Sequence, residues 1–209
     1  MPSIRAVGRP LGWLLVAGAL IAGGSLIPLG LASAAPQQRH HDSHGGNPGF
    51  HGGQSNPWVT SWAASPQVAV PGSLSDTGFD NQTVRNIVFT SVGGNVVRVR
   101  FTNTFGTSPL DIGDASIALA GSGTTAATGR DVPLLFSGQS SVEIPPGAEA
   151  LSDPVRLDVP ALQDIAVSVY LPDATRPATQ HSDGQQINYV ASGDHALDRS
   201  ATAYTTQTQ

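Results

Sequence analysis

The sequence predicts an all-β protein: a jelly-roll-like β-sandwich, preceded by a signal peptide and a disordered linker. Three observations carry this. Apolar and polar residues alternate in several segments, most clearly in residues 96–102, where Val97, Val99 and Phe101 share one face and Arg98, Arg100 and Thr102 the other. A period of two marks a half-buried strand, because successive side chains point to opposite sides of a sheet. No segment of the body repeats with the 3.6-residue period of a helix, and the candidate strands are short and separated by Gly, Pro and Asp, as in sandwiches and barrels.

The N-terminus has its own logic. Arg5 and Arg9 precede an apolar run from Leu11 to Ile21 that continues weakly to Leu31, and Ala32-Ser33-Ala34 follows with small residues at the positions a signal peptidase reads. Basic, apolar and cleavage regions in that order predict a secretory signal over residues 1–34 and an extracellular product beginning near Ala35. The run is also about long enough for a retained membrane anchor, but Gly23, Gly24 and Pro28 weaken it as a spanning helix.

Residues 35–56 are polar, glycine-rich and without apolar period, which predicts a flexible linker. His40, His41, His44 and His51, with Asp42, make it a histidine tract. Such tracts bind divalent metals weakly, and without a pocket or outer partners the expectation is a solvated tail and no cofactor.

Composition narrows the function classes. All ten basic residues are arginine, and losing Arg5 and Arg9 with the leader takes the formal charge from −5 to −7. An acidic balance argues against nucleic acid, and after leader cleavage against a membrane, as partners. Cysteine is absent, so an exported domain must rely on its core, and thiol nucleophiles and zinc–cysteine sites are excluded.

The folded body is predicted over residues 57–209. Trp58 and Trp62 fall on one face of a first strand, since an even separation restores direction, and packing is the favoured role over a sugar-stacking platform. Residues 67–80 are a loop. Residues 84–90 form a strand, and Gly93 and Gly94 supply a hairpin turn into residues 96–102. Leu110 and Ile112, then Ala115, Ile117 and Leu119, resume the alternation; residues 121–131 are a loop; residues 134–136 and 141–144 are short strands. Val155, Leu157 and Val159 alternate, residues 160–164 form the one helical turn, and residues 165–171, 185–190 and 201–206 complete the strands.

Chemistry is sparse. The sequence has no G-x-S-x-G, no P-loop and no dinucleotide fingerprint. Ser116, in Gly113-Asp114-Ala115-Ser116, sits within an alternating strand with no helix after it. Asp194-His195 follows Gly193 and reads as a turn rather than an acid–base pair. His181 and His195 are the histidines of the body, and a base without a recognisable nucleophile has nothing to activate, so both are given structural roles.

A series of segments nonetheless resembles a known family. Residues 60–66 (TSWAASP), 82–85 (QTVR), 90–94 (TSVGG) and 97–100 (VRVR), with Asn103 and Phe105-Gly106, come first. Pro109-Leu110, Ile112-Gly113, residues 144–148 (IPPGA), residues 152–155 (SDPV), Leu171-Pro172, Tyr189 and Gly193-Asp194-His195 follow in order. Together they are similar to the N-terminal β-sandwich region of secreted actinobacterial SGNH/GDSL-type hydrolases. The resemblance implies an accessory sandwich preceding a catalytic domain that performs serine-mediated ester hydrolysis. That domain would carry a G-D-S nucleophile block, a G-x-N-D block and a D-x-x-H pair, and none of these occurs in this sequence. The expectation is therefore a C-terminally truncated, catalytically incomplete accessory domain, with no catalytic, cofactor-binding or metal residues. Its partner would be its own missing catalytic domain, with a carbohydrate or ester substrate. The alternative is a stand-alone secreted module that binds carbohydrate or a cell surface.

Overall fold

The computed structural model describes residues 20–23, 58–121, 127–182 and 184–208. In chain order the elements are β1 (Leu20–Gly23), β2 (Trp58–Trp62), α1 (Leu74–Thr77), β3 (Gln82–Phe89), β4 (Gly94–Arg98) and β5 (Arg100–Thr102). Then come β6 (Leu110–Ile112), β7 (Asp114–Ala120), β8 (Ala127–Pro133), β9 (Val142–Ile144) and β10 (Glu149–Leu151). The last four are β11 (Val155–Val159), β12 (Asp164–Leu171), β13 (Asn188–Ser192) and β14 (Tyr204–Thr208). The protein is all-β, and its sheets are antiparallel. One sheet has the order β14-β13-β3-β12-β7-β8; another runs β11-β4-β1-β2; the ribbons β10-β5 and β6-β9 flank them.

The longest ladder joins β3 to β12 from Phe89↔Asp164 to Gln82↔Leu171, without a register break. It puts Val84 and Val88 of β3 beside Ile165, Val167 and Val169 of β12 in one buried cluster. Val97, Val99 and Phe101 from the smaller sheets belong to the same cluster, so one core lies between the large sheet and the small ones. Register decides this: a slip of one residue would turn every one of these side chains outward.

Several expectations are corrected by long-range pairing. Residues 96–102 are not one strand: the ladder breaks at Val99, β4 pairing with β11 and β1 and β5 with β10. The Ser152 hydroxyl accepts from the Val99 amide at 2.9 Å, which satisfies the backbone where the strand changes partner. The second half of residues 121–131, read as loop, belongs to β8, which pairs with β7 as an edge strand. Residues 134–136 are not a strand; Phe136 makes an isolated bridge to Gln139.

Helix is also redistributed. Residues 160–164 hold no helical turn: Ala161 and Leu162 form a turn, with Leu162 at φ 57°, and Asp164 already opens β12. The helical turn is α1, inside the stretch read as a loop: Ser73 accepts from the Asp76 amide at 3.1 Å as its N-cap. Gly78 ends it at φ 82°, where an added Cβ would lie 2.5 Å from the Arg176 carbonyl oxygen, so the position requires glycine.

The tryptophans part company. Trp62 packs against the core, whereas Trp58 remains 39% exposed with the Arg98 guanidinium 5.6 Å from its ring centroid. A register shift opposite Thr60 and Trp62 accounts for the loss of a common face. β1 belongs to the stretch read as the leader's apolar run, and the histidine tract and linker lie outside the described residues. Among the described residues, no helix is long and apolar enough to cross a membrane.

Candidate functional site

β3 and β12 are buried on both faces, which a half-buried reading of their alternation does not anticipate. The second cover is the chain between β13 and β14, residues 193–203. It runs as a strap across the face of the large sheet that points away from the core. Thr83 of β3 holds its start, donating to the Gly193 carbonyl at 2.7 Å and accepting from the His195 amide at 2.9 Å. Ser116 of β7 donates to the Ala196 carbonyl at 2.5 Å. Tyr204, at the first position of β14, donates to the His195 carbonyl at 2.9 Å. Ile87, Ala120, Ala166, Tyr189, Ala191 and Tyr204 form a second, smaller apolar cluster on this side.

Beneath the strap lies Arg85, fully buried at 0% exposure. It occupies the centre of a cross-strand row, Tyr189–Arg85–Ser168–Ser116, set by the registers of β13, β3, β12 and β7. Its Nε donates to the Ser168 hydroxyl at 2.8 Å and its Nη2 to the Asp198 carbonyl at 2.5 Å. The Tyr204 ring lies 4.3 Å from the guanidinium. A charge removed from water this completely persists only when it is paired and hydrogen-bonded.

Acidic groups complete the electrostatics. Burial raises the Asp131 carboxyl above the ordinary aspartate value, with the charges of Arg85 and Arg199 pulling it back and Asp198 pushing it up. Burial likewise raises the Tyr204 phenol against the pull of Arg85. At the root of the strap, Asp114 is raised by burial, then by the charge of Asp194 and a hydrogen bond between the two carboxyls.

The residues singled out in the sequence fall in three places. His195 lies on the strap, with Nδ1 2.7 Å from Asp198 Oδ2. Its acidic partner is therefore three residues downstream, not the adjacent Asp194, which instead accepts from the Ala196 amide at 3.1 Å. The signal was H-A-L-D, an i,i+3 pair that a search for D-x-x-H passes over. Ser116 is beneath the same strap, but its hydroxyl proton is given to a carbonyl. Among the described residues no hydroxyl is hydrogen-bonded to His195 Nε2. His181 is elsewhere, with Nδ1 3.0 Å from the Ser65 carbonyl oxygen.

The site can orient an imidazole and bury a cation, yet it offers His195 no nucleophile to activate. No group of three or more metal-ligating side chains occurs among the described residues. Sequence reading missed Arg85 because a charged residue inside an apolar strand is legible as buried only once the strap over it is known.

Many residues of the family-like series meet one another in space. Asn103 Nδ2 donates to the carbonyls of Ser108 and Ile144 at 2.8 and 2.9 Å, and the Asn103 carbonyl accepts from the amides of Gly106 and Gly147 at 3.1 and 2.9 Å. Thr83 meets Gly193 and His195, and Ser152 meets Val99. These residues act as joints of the scaffold. A scan against protein-family models finds no match for the chain, and a search of curated proteins finds none.

Proposed function

We propose that this chain is the N-terminal accessory β-sandwich, of jelly-roll type, of a secreted SGNH/GDSL-type serine ester hydrolase, exported by a leader over residues 1–34. The observation that carries the reading is the ordered series from Thr60 to His195, whose members pair with one another at the joints of an all-β scaffold. A series that works as a set of mutual contacts is harder to meet by chance than a single motif.

The His195–Asp198 pair does not make the chain an esterase by itself. Acyl transfer needs an activated nucleophile and donors for the developing oxyanion, and Ser116 is committed to a backbone carbonyl. The catalytic half belongs to a partner domain. Phe89, Val92 and Leu162, at the β3–β4 and β11–β12 turns, keep 46%, 39% and 68% exposure and offer apolar surface at one end for such a contact.

The test is incubation of the full chain with short p-nitrophenyl esters and a fluorophosphonate probe. The expected result is neither turnover nor labelling. Labelling of a single serine, with turnover lost on its replacement, overturns the accessory reading. A second reading, a stand-alone carbohydrate-binding module, draws on one specific observation, the exposed ring of Trp58.

A further inference from the structure

We propose that residues 193–203 form a proton-operated latch: the strap lies closed over Arg85 while carboxyls trapped between strap and sheet hold protons, and loosens as they give them up.

Geometry sets the device. The strap carries two acids, Asp194 and Asp198, and lays each beside an acid of the sheet. Asp114 and Ser116 lie two apart on β7, so Asp114 shares the face on which Ser116 meets the Ala196 carbonyl. There the Asp114 and Asp194 carboxyls are hydrogen-bonded to one another. Two carboxylates are acceptors only, so this bond exists with a proton on one of them and turns into repulsion without it. Asp131 of β8 lies two before Pro133, the residue paired with Ser116, and so points to the same side. Its Oδ2 is buried without a hydrogen-bond partner among the described residues.

The strap is gripped beside each of its acids. The Thr83 hydroxyl holds the residues on both sides of Asp194, through the Gly193 carbonyl and the His195 amide. The Asp194 carboxyl accepts from the Ala196 amide at 3.1 Å. Asp198 is held twice, its carbonyl by Arg85 and its carboxylate by His195 Nδ1 at 2.7 Å. An Nδ1–H donates from neutral and charged imidazole alike, so this tie needs no added proton.

The sign follows from what faces each sheet acid. Around Asp131 stand Arg85 of β3, Asp198 and Arg199 of the strap and the Tyr204 phenol of β14. Around Asp114 stand Asp194 and, on β12, Tyr170, whose hydroxyl donates to Asn81 Oδ1 at 2.8 Å. Burial raises the Asp131 carboxyl, and the pull of Arg85 and Arg199 does not cancel it; burial and then the Asp194 charge raise Asp114. Both carboxyls therefore hold a proton more tightly under the closed strap. Closure gains from this at low pH and loses it as pH rises from the ordinary value of 3.8 through the raised ones. Tyr204 is raised from 10.0, above this window, and stays protonated through it. Asp194 is exposed and water weakens its pair, so Asp131, with its buried oxygen, carries the larger part. Opening uncovers the Arg85 guanidinium and the small apolar cluster around Tyr189 and Ala191.

The experiment is hydrogen exchange of the full chain between about pH 4 and about pH 8, read by mass spectrometry as protection factors, which removes the intrinsic pH dependence of exchange. Protection over residues 194–204 is expected to fall about tenfold across that range, the factor that one unit of pKa shift supplies, while the β3–β12 ladder keeps its own. Asp131→Asn and Asp114→Asn fix neutral side chains of nearly the same shape. Each should flatten part of the fall, Asp131→Asn the larger part, and the double variant should stay protected at the upper end. Asp173→Asn, at an exposed loop position, serves as control and should keep the wild-type fall. Thermal melts establish which variants fold; if one does not, the other decides. Protection that does not change with pH overturns the proposal, as does a fall that persists in the double variant. An equal fall in the β3–β12 ladder overturns it too, since the pH would then act on the whole fold.

Discussion

Arg85 and Ser168 face each other across β3 and β12, with Nε and Oγ 2.8 Å apart beneath the strap. The bond ties the one fully buried guanidinium of the described residues to the centre of the large sheet. Ser168→Ala removes a hydrogen bond to a charged group without adding volume. The expected cost is about 1.5–3 kcal/mol, read from chemical denaturation. Arg85→Met, which also takes from Asp131 one of the two cations acting on it, should cost more; a loss below that of Ser168→Ala would show that the buried charge is not the organising element.

The strap depends on Tyr204. Tyr204→Phe keeps the ring over Arg85 and loses the bond to the His195 carbonyl, a difference of about 0.5–1.5 kcal/mol. Tyr204→Ala removes the ring as well. Limited proteolysis should then cut within residues 193–203, while the wild type and Tyr204→Phe resist; equal cutting in all three would contradict the role of the ring.

Asp114 and Asp194 set a pH dependence whose sign follows from the raised Asp114 carboxyl. A carboxyl raised in the folded state favours folding while it is protonated, and that contribution is lost as pH climbs from the unfolded value of 3.8 through the raised folded one. Asp114→Asn should therefore raise the melting temperature at pH 7, with the advantage shrinking as pH falls through the raised folded value and gone below 3.8. An advantage that is equal at both ends would place its origin outside the carboxyl pair.

Gly106 is a steric requirement. A Cβ there would lie 1.7 Å from Asn103 Oδ1, and Asn103 is fixed by two bonds to backbone carbonyls. Gly106→Ala must displace that side chain, at a cost of about 1–3 kcal/mol for overpacking. Asn103→Ala leaves the carbonyls of Ser108 and Ile144 without their donor and should be comparably destabilising. The double variant is the discriminating measurement: if the clash is with Asn103, the two costs do not add.

Short-range pattern determined the class of this protein and much of its strand set. Period-two alternation at Val97, Val99 and Phe101, and again through residues 165–171, is a property of neighbouring residues, and the strands follow from it. The order of conspicuous residues such as Asn103, Gly106 and Gly193 was legible for the same reason, although their roles as joints were not. Tertiary structure decided what depends on distant segments. Val99 ends one strand because Ser152, 53 residues on, takes its amide; β8 exists because β7 offers an edge. Arg85 is buried because a strap more than a hundred residues downstream closes over it, and Trp58 stays in solvent while Trp62 does not because a register shift separates them. None of these is a local preference. Each is settled by which backbone groups and side chains the fold brings together, and a linear sequence carries that information only through the completed set of contacts.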